Sequence, residues 1–472
     1  MMDREKSAWS RSWSGRNLMG TRKAIGESRM TSVFATLRAC LLSLALATPA
    51  MATDLPDPLT LDDFLQFDPA QAKLGQLLFY DKILSGNRNI ACATCHHHDL
   101  NSADGVSLGV GEGGSGLGMN RTGGAGADRI EERVPRNAPA LWNLGHKDVR
   151  FMFHDGRVEV SEDFGNGFRT PAWIFLPEGL NSLLAAQVLF PVGSETEMAG
   201  QPGENAIAGA AYDAPHYVWP LISERVREID AYVPLFTEAF DHVNEASDIT
   251  IVEIANAIAA FTAIEFRNFD SPFDKYLGGD EDALTAAQKR GMDLFYGEVG
   301  CSGCHAGPLM SDQSFRGLGL PPFGPGLTFL NDPIARDVGR MAISDKLEDA
   351  YRFRVPFLRN VALTAPYGHN GAMPTLEAMV RHHLNPRESN AKWRSEMAKL
   401  PPVPWLASED FALREKTAEN DRILASIDID LPPVSDAEIA DIVAFLHSLT
   451  GETALDRPMG RPETVPSGLP VD

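Results

Sequence analysis

The stretch Cys92-Ala-Thr-Cys-His96 and its partner Cys301-Ser-Gly-Cys-His305 are two copies of the pentapeptide Cys-x-x-Cys-His. At this spacing two thiols can bond to the two vinyl groups of one porphyrin, and the adjacent histidine supplies an imidazole to the iron. Random placement of 5 cysteines and 12 histidines in 472 residues gives roughly 0.001 such motifs. A disulfide, a thioredoxin-like redox pair or half a zinc site would leave both histidines unexplained. The sequence therefore predicts two covalently bound haem c groups.

The predicted attachment residues are Cys92, Cys95, Cys301 and Cys304, and the predicted proximal iron ligands are His96 and His305.

The N-terminal residues 1–52 have the pattern of an exported leader. A basic stretch precedes the apolar run 39–47, and Ala50-Met-Ala52 is a small-x-small cleavage signal. The run is too short to cross a bilayer, and no other stretch is long and apolar enough to do so. We therefore predict a signal peptide cleaved near Ala52, a periplasmic location and no membrane span after cleavage. Export agrees with the haem motifs, because c-type haem is attached on the outer side of the bacterial membrane.

The chain is strongly acidic, with a formal net charge of −22. Residues 1–52 carry eight Lys/Arg and three Asp/Glu, a net charge of +5, so the mature chain has a charge of −22 − 5 = −27. This charge argues against nucleic acid as a partner, because the phosphates would be repelled. It suits the steering of a basic redox partner, although plain solubility explains the net charge equally well.

An internal repeat precedes the two haem motifs: Gly75-Gln-Leu-Leu-Phe-Tyr80 matches Gly291-Met-Asp-Leu-Phe-Tyr296. Both read as the ends of amphipathic helices whose Leu-Phe-Tyr edge faces a porphyrin. Helical spacing also predicts a linking helix at 249–266 and a closing helix at 435–449, the latter with a Ser435/Glu438 capping box. The Gly-rich segment 105–127 reads as an irregular loop. The fold class is therefore mostly α, with two cytochrome c-like haem domains and long loops.

Six further strings occur in a fixed order: Arg136-Asn-Ala-Pro139, His154-Asp-Gly-Arg157, Ser271-Pro-Phe-Asp274, Arg354-Val-Pro356, Leu358-Arg-Asn360 and Leu363-Thr-Ala-Pro-Tyr367. With the two haem motifs, they make the chain from about Leu74 to Gly451 resemble the bacterial di-haem cytochrome c peroxidases and their relative MauG, which oxidises tryptophan on a partner protein. On this basis we expect a peroxidatic haem domain at 53–247, an electron-transfer haem domain at 248–455 and a flexible tail at 456–472.

The resemblance implies that the N-terminal haem binds peroxide below a glutamate that handles protons. The matching glutamate is Glu197, with Gln187 ten residues earlier at the spacing that the family uses. Splitting an O–O bond requires one oxygen to lose a proton and the other to gain one, so one carboxylate can act as base and then as acid. Gln187 would orient the peroxide through its amide. Glu195 is the neighbouring alternative.

Typical members of the family also place a histidine shortly before the Arg-Asn-Ala-Pro string, where it caps the peroxidatic iron in the oxidised enzyme. Between His98 and Arg136 this chain has no histidine. We therefore predict a haem with an open distal side that reacts without reductive activation. Met119 is the sulfur candidate in that loop, although an exposed or core-filling methionine is the ordinary interpretation.

The second haem needs a distal ligand, which the family places seventeen residues after the proline of the Thr-Ala-Pro-Tyr string. Methionine stands there in peroxidases and tyrosine in MauG, whereas this chain has His383. The rival ligands are His382, Met341 and Met373. A bis-histidine haem has a lower reduction potential than a His/Met haem.

The position between the two haems differs as well. Relatives have a tryptophan that is thought to relay electrons, and here it is His154, followed by an insertion of about twenty residues at 159–180. Imidazole is harder to oxidise than indole, so electrons would tunnel directly or use Trp142.

Calcium is implied between the domains. By resemblance its protein ligands are the Asn137 side chain and the backbone carbonyls of Thr364 and Pro366, which are oxygen donors of the kind calcium prefers. Asn137 capping a turn is the alternative.

The function implied is that of a periplasmic peroxidase that reduces hydrogen peroxide to water with electrons from a small soluble protein, such as a cytochrome c or a cupredoxin. Two alternatives stay open: a MauG-like oxidase that modifies aromatic residues of a partner protein, and a di-haem electron carrier. Glu197 and Gln187 argue against the carrier, which needs neither. A homodimer is common in the family.

Overall fold

The structure is a computed structural model that describes residues 55–126, 129–327 and 335–472. The predicted leader at 1–52 lies outside these residues. Within the three described ranges, no helix combines the length and the apolar character needed to cross a bilayer.

The described residues are mostly helical between long connections, as the sequence predicts. Their fourteen α-helices are α1 (Pro69–Tyr80), α2 (Cys92–Cys95), α3 (Leu183–Val188), α4 (Ala206–Asp213), α5 (Val218–Arg227), α6 (Val233–Ala239), α7 (Ile251–Glu265), α8 (Pro272–Leu277), α9 (Ala286–Tyr296), α10 (Met341–Ser344), α11 (Leu376–Leu384), α12 (Pro386–Lys392), α13 (Thr417–Ala425) and α14 (Asp436–His447). The five short strands are β1 (Phe151–Met152), β2 (Val158–Val160), β3 (Phe168–Arg169), β4 (Phe315–Arg316) and β5 (Phe353–Arg354).

The N-terminal module is built on the crossing of α1 and α7. Asp68 caps α1 by accepting from the Ala70 N–H, and a Thr250/Glu253 capping box opens α7. The helices approach so closely at Gly75 that a Cβ there would lie 1.8 Å from the Ala257 carbonyl oxygen. Only glycine therefore fits this position of α1.

The C-terminal module repeats this arrangement with α9 and α14. A Cβ at Gly291 would lie 1.9 Å from the Asp441 carbonyl oxygen, and the predicted Ser435/Glu438 capping box opens α14. Both helices of the sequence repeat end at the predicted tyrosine, Tyr80 or Tyr296. The internal repeat is thus a repeat of one helix crossing.

Helix α7 packs within the N-terminal module. We expected the second domain to begin at 248, but α7 packs on α1, and Ile254, Ile258 and Phe261 belong to the N-terminal core. Because α7 is the counterpart of α14, the N-terminal module extends through Phe266, one helix beyond the predicted boundary.

The C-terminal segment 456–472, for which we predicted a flexible tail, packs on the N-terminal module. Val465 is 6% exposed within the N-terminal core, and the Ser467 hydroxyl donates to Asp81 at 2.6 Å. Asp472 accepts from Thr94 inside the first haem motif. The segment is rich in Pro and Gly, a composition typical of an unpacked tail, so the sequence does not indicate these few anchoring residues.

Two small antiparallel sheets lie where the modules meet. β1, β2 and β3 form a sheet in which Phe151 pairs with Glu159 and Val160 with Phe168, so the predicted insertion begins as a β-meander. β4 and β5 pair Phe315 with Arg354. The β1–β2 turn carries the string 154–157 towards the interior.

Candidate functional site

A cavity of about 1620 Å³ in the N-terminal module is lined by Cys92, Cys95 and His96. The Nδ1 atom of His96 lies 2.9 Å from the Ser102 carbonyl oxygen. Because that bond fixes the ring through Nδ1, Nε2 is the atom left for a metal, as is usual for a ligating histidine. Two thiols and one oriented imidazole on one cavity wall fit the attachment of a haem c.

Glu197 and Gln187 line this same cavity. Gln187 belongs to α3, which begins after the Ser182 N-cap, and Glu197 sits in a π-helical turn at Glu195–Ala199. π-Helical turns are rare in proteins, and those that occur often lie at functional sites. The structure therefore brings together the two residues that the resemblance pairs.

Burial in the cavity raises the pKa of Glu197, and the nearby charges of Arg157 and Arg136 act in the opposite direction. Glu195 occupies the start of the same turn but is exposed to solvent. Burial, and then the carboxylates around it, raise its pKa as well, beginning with Glu131. Glu197 is less exposed to solvent than Glu195, which favours Glu197 as the carboxyl that transfers protons.

The Gly-rich loop at 105–121 holds the turn that carries Glu197. The Glu112 N–H donates to the Thr196 carbonyl oxygen at 3.1 Å, and a Cβ at Gly111 would lie 1.9 Å from that oxygen. Arg121 donates to the Gly111 carbonyl at 2.6 Å and to the Gly116 carbonyl at 2.8 Å. The loop is irregular, as predicted, but its backbone fixes the position of the turn.

A distal histidine or methionine ligand to the first haem would have to line this cavity. Met119 is 45% exposed and is not part of the lining. Besides His96, the imidazole that lines this cavity in the described residues is that of His154, whose Nε2 lies 3.0 Å from the Asn137 carbonyl oxygen. The lining thioethers, Met152 and Met198, are buried in the N-terminal core.

A buried charge network next to Glu197 was not anticipated from the sequence. Arg136 pairs with Asp155 at 2.6 Å and with Asp337 at 2.7 Å, and Arg157 lies 3.3 Å from Asp155. Although burial opposes ionisation of Asp155, these two arginines lower its pKa well below the ordinary value. The strings around residues 136 and 157 were visible, but only the fold brings them together.

Asp104 is a second unanticipated group in the first cavity. Burial raises the pKa of this carboxyl to about 7. Burial, and then the Asp104 charge, also raise the pKa of the Cys95 thiol to about 12, which places Asp104 near the haem attachment point. No motif marks an isolated aspartate eight residues after a haem histidine, so the sequence carried no signal for it.

A smaller cavity of about 290 Å³ in the C-terminal module is lined by Cys301, Cys304, His305 and His383. The two imidazole centroids are 6.3 Å apart. Nδ1 of His305 bonds to the Met310 carbonyl and Nδ1 of His383 to the Met379 carbonyl, so both Nε2 atoms remain for a metal. Two metal–nitrogen bonds of about 2 Å each, plus about 1 Å from each nitrogen to its ring centre, span roughly 6 Å. The pair fits a haem iron between two imidazoles.

The rival ligands are otherwise engaged. His382 is 0% exposed, and its two ring nitrogens lie 2.8 Å from the Leu318 carbonyl and 3.0 Å from the Ser389 hydroxyl. Met341 packs against a separate cluster with Val338, and Met373 is a 1% exposed core residue. Neither methionine lines the second cavity.

One wall separates the two cavities, and its residues line both. They are Pro135, Asn137, Ala138, Pro139, Ala140, Leu144, His154, Gly326, Arg354 and Leu413. Burial, and then the Arg136 charge, lower the pKa of His154 to about 4, so its ring is neutral at pH 7. Trp142 lines the second cavity and donates to the Asn101 carbonyl at 3.2 Å. His154 and Trp142 thus both lie beside the path between the cavities.

The predicted calcium ligands lie in this same region. Asn137, Thr364 and Pro366 all line the second cavity. The Asn137 side-chain amide donates to the Val106 carbonyl at 2.8 Å, which leaves its amide oxygen as the atom that could face a cation. Its backbone N–H donates to the His369 carbonyl at 2.9 Å, which ties it to the loop after Pro366.

The sequence is similar to those of known di-haem peroxidases. The family described as di-haem cytochrome c peroxidase matches residues 69–282. The cytochrome c551 peroxidase of Pseudomonas aeruginosa is 31% identical over 310 residues, which are 66% of this chain and 70% of that protein. The cytochrome c peroxidase Ccp of Escherichia coli is 32% identical over 388 residues, and the match covers 82% of this chain but 59% of that longer protein.

A solved structure, of a MauG-like protein associated with microbial copper homeostasis, shares the fold. It superposes with a TM-score of 0.54 at 25% sequence identity and covers 86% of this chain and 95% of that one. The two cysteine pairs, 92/95 and 301/304, fit the two haem c groups of such proteins. The chain belongs to the di-haem cytochrome c peroxidase and MauG family.

Proposed function

We propose that this chain is a periplasmic di-haem peroxidase that reduces hydrogen peroxide to water. The observation that carries the proposal is the pairing of Glu197 and Gln187 on the wall of the cavity that also holds Cys92, Cys95 and His96. An electron carrier needs no buried proton-handling carboxyl beside its haem. Membership in the family supports an oxidoreductase that uses peroxide and an electron donor.

In the proposed reaction, hydrogen peroxide, two electrons and two protons give two molecules of water. Cys92, Cys95 and His96 would hold the haem, which would supply the electrons that reduce the O–O bond. Glu197 removes a proton from one peroxide oxygen and returns it to the other, so the leaving oxygen departs as water. Arg157 and Arg136 favour the ionised form of Glu197 that starts this sequence. The Gln187 amide holds the peroxide in place.

Electrons would enter from a small soluble protein and reach the first haem through the second, which we propose is held by His305 and His383. The shared wall, with His154 and Arg354, lies between the two cavities. We also propose that calcium binds Asn137 and the carbonyls of Thr364 and Pro366, where it would stiffen that wall.

One observation favours a second candidate, the MauG-like oxidation of aromatic residues on a partner protein. His383 stands where the resemblance expects methionine for a peroxidase, so the second haem would have a potential unlike that of a His/Met haem. Mass spectrometry of a co-expressed partner after peroxide treatment, with oxidised tryptophan or tyrosine as the positive result, would select this function.

The test of the first function is turnover of peroxide by purified holoprotein with a reduced small cytochrome c. We expect catalytic oxidation of the cytochrome, two haems per chain by pyridine haemochrome, and a high-spin ferric signal in electron paramagnetic resonance of the oxidised protein. Two low-spin signals with no high-spin haem would exclude the open site. Haem-replete protein without turnover would exclude the peroxidase.

A further inference from the structure

In the described residues, six arginines line the two cavities, and five of them pair with a carboxylate. The pairs are Arg133 with Asp410, Arg136 and Arg157 with Asp155, Arg316 with Asp312, and Arg359 with Asp274. The sixth, Arg354, has no carboxylate partner in the part of the chain that the structure describes. It is therefore a positive charge inside the protein that these residues do not balance.

The pKa values of two of these arginines show the difference. Burial lowers the pKa of Arg354 to about 10, and none of the described carboxylates acts in the opposite direction. Burial also opposes the charge of Arg136, but Asp155 and Asp337 raise its pKa above the ordinary value. Arg354 is nevertheless charged at pH 7, because its pKa lies well above that value.

Most of the hydrogen-bond donors of Arg354 are free to bind a further acceptor. A guanidinium carries five N–H groups. Nε lies 3.4 Å from the Phe153 carbonyl oxygen and Nη1 lies 3.3 Å from the Val355 carbonyl oxygen, and both distances are long for hydrogen bonds. Among the described residues, Nη2 has no partner. The guanidinium lies 4.8 Å from the centre of the Phe357 ring, which supports its face and leaves the N–H groups along its edge available.

The fold holds Arg354 in the wall between the two cavities. It belongs to β5, where it pairs with Phe315 of β4, and its backbone N–H donates to the His154 carbonyl at 2.8 Å. The same residue lines both the first and the second cavity. Its free N–H groups are therefore in the wall that separates the two sets of haem-attachment residues.

A buried charge without a partner is costly, so a ligand that brings the counter-charge is expected where a protein keeps one. Each cavity is lined by the cysteines and the histidine that fit a haem c. A haem c carries two propionate carboxylates, and a guanidinium binds a carboxylate through two parallel N–H bonds. The unpaired guanidinium of Arg354 thus has the charge and the donors that a haem propionate requires.

We propose that Arg354 is the binding site for a haem propionate on the wall between the two cavities, and that its charge raises the reduction potential of the haem it holds. A positive charge favours the ferrous state, because reduction adds an electron to the haem. Arg354 thereby helps to set the driving force for electron transfer between the cavities. The proposal requires bound haem but not peroxidase activity, so it goes beyond the function proposed above.

The first test is a spectroelectrochemical titration of the holoprotein and its variants. Arg354→Gln should lower the reduction equilibrium constant of at least one haem about tenfold, which is about 59 mV for a one-electron couple. Arg354→Lys keeps the charge without the planar fork, so its potential should lie between those of the native and glutamine proteins. Unchanged potentials of both haems in Arg354→Gln would overturn the proposal.

The matched control is Arg352→Gln, which removes the same charge two residues away. Arg352 pairs with Asp428 at 3.3 Å and lines neither cavity, so both potentials should stay nearly unchanged in this variant. An equal fall in the two glutamine variants would assign the effect to net charge and would also overturn the proposal.

The second test identifies the carboxylate. Cells fed aminolevulinate that is isotopically labelled at its carboxyl carbon produce haem with labelled propionates. In infrared redox-difference spectra, a label-sensitive carboxylate band should differ between the native protein and Arg354→Gln. The absence of such a band difference would overturn the proposal. So would a native potential that changes with added formate or phosphate at constant ionic strength, because an exchangeable anion would then occupy Arg354.

Two other failures can be told apart from failure of this site. Holoprotein that does not turn over peroxide would exclude the proposed function, while the potentials and infrared bands would still decide the role of Arg354. If Arg354→Gln does not accumulate with two haems by pyridine haemochrome, Arg354→Lys takes its place in the infrared test. A label-sensitive band identical to the native one in the lysine variant would then refute propionate binding.

Discussion

His382 and His383 are neighbours on α11 with different surroundings. His382 has both ring nitrogens bonded inside the protein, whereas His383 bonds through Nδ1 alone and faces His305. Residue type and spacing left both as candidates, and the hydrogen bonds separate them. Glu195 and Glu197 also share a turn and both line the first cavity, but Glu195 is exposed to solvent and Glu197 is half-buried.

We expect His383→Met to raise the reduction potential of the second haem by roughly 100 mV or more, because a thioether favours ferrous iron. A spectroelectrochemical titration measures this change. The matched control is His382→Gln, which should lower stability and leave the potential and spectrum in place. An unchanged potential in the methionine variant would remove His383 from the iron.

We expect Glu197→Gln to lower the rate constant for the reaction of peroxide with the first haem by about 10²-fold or more, because the amide cannot accept a proton. Glu195→Gln should leave the rate nearly unchanged. Burial raises the pKa of Glu197, so the native rate should fall as the pH drops through a value above the ordinary glutamate range. Stopped-flow measurement across pH checks both. An acid limb that survives in the Glu197 variant would assign it to another group.

At the scale of elements, three glycine contacts determine how backbone segments approach each other. Gly75 and Gly291 allow the α1/α7 and α9/α14 crossings, and Gly111 lets the loop at 105–121 rest on the turn that carries Glu197. In each case a carbonyl oxygen occupies the place of a side chain. The contacts at Gly75 and Gly291 govern the packing of the helices, and the contact at Gly111 governs the geometry of the site.

Gly75→Ala and Gly291→Ala should each lower the free energy of unfolding by about 2 kcal/mol or more, because the helices must separate to admit a methyl group. Gly209→Ala, in α4, is the control, since a Cβ there meets nothing within 4 Å. It should be neutral or stabilising by up to about 1 kcal/mol. Denaturant titration measures all three, and equal effects at 75 and 209 would contradict the tight crossing.

Gly111→Ala should slow the peroxide reaction by up to about 10²-fold through displacement of Glu197. Gly105→Ala is matched to it, because both glycines have a φ of +70° and so bear the same backbone strain. Its Cβ would meet only a leucine side chain, at 3.9 Å. Stopped-flow kinetics on both variants isolate the contact with Thr196, and equal slowing would show that strain alone is responsible.

At the scale of the whole molecule, the two modules meet at the wall that lines both cavities, and the segment 456–472 returns to the N-terminal module. Glu265, at the end of α7, is 0% exposed and accepts from the Met459 N–H at 2.9 Å. Arg457 lies 3.6 Å from that carboxylate. The segment 456–472 therefore packs against the end of α7, the helix that crosses α1.

Arg457→Met should destabilise the protein by on the order of 3 kcal/mol at pH 7.5, because it removes the counter-charge of a buried carboxylate. Burial raises the pKa of Glu265, so the ionised form is the penalised one. The deficit should therefore shrink as the pH falls towards 5, where protonation of Glu265 removes the need for a counter-charge. Thermal unfolding at both pH values checks this, with exposed Arg461→Met as the control. A deficit independent of pH would indicate lost packing instead.

The sequence by itself determined the two haem attachment sites, the helical class, the repeat and the capped helices, because each depends on residues close together in the chain. Motif spacing and capping are local, so they can be read without the fold. The tertiary structure decided that α7 belongs to the first module, that 456–472 packs, which of two adjacent histidines faces His305, and that Arg136, Arg157 and Asp104 surround the first cavity. Those outcomes depend on contacts between residues far apart in the chain, and burial and hydrogen-bond partners exist only once the chain has folded.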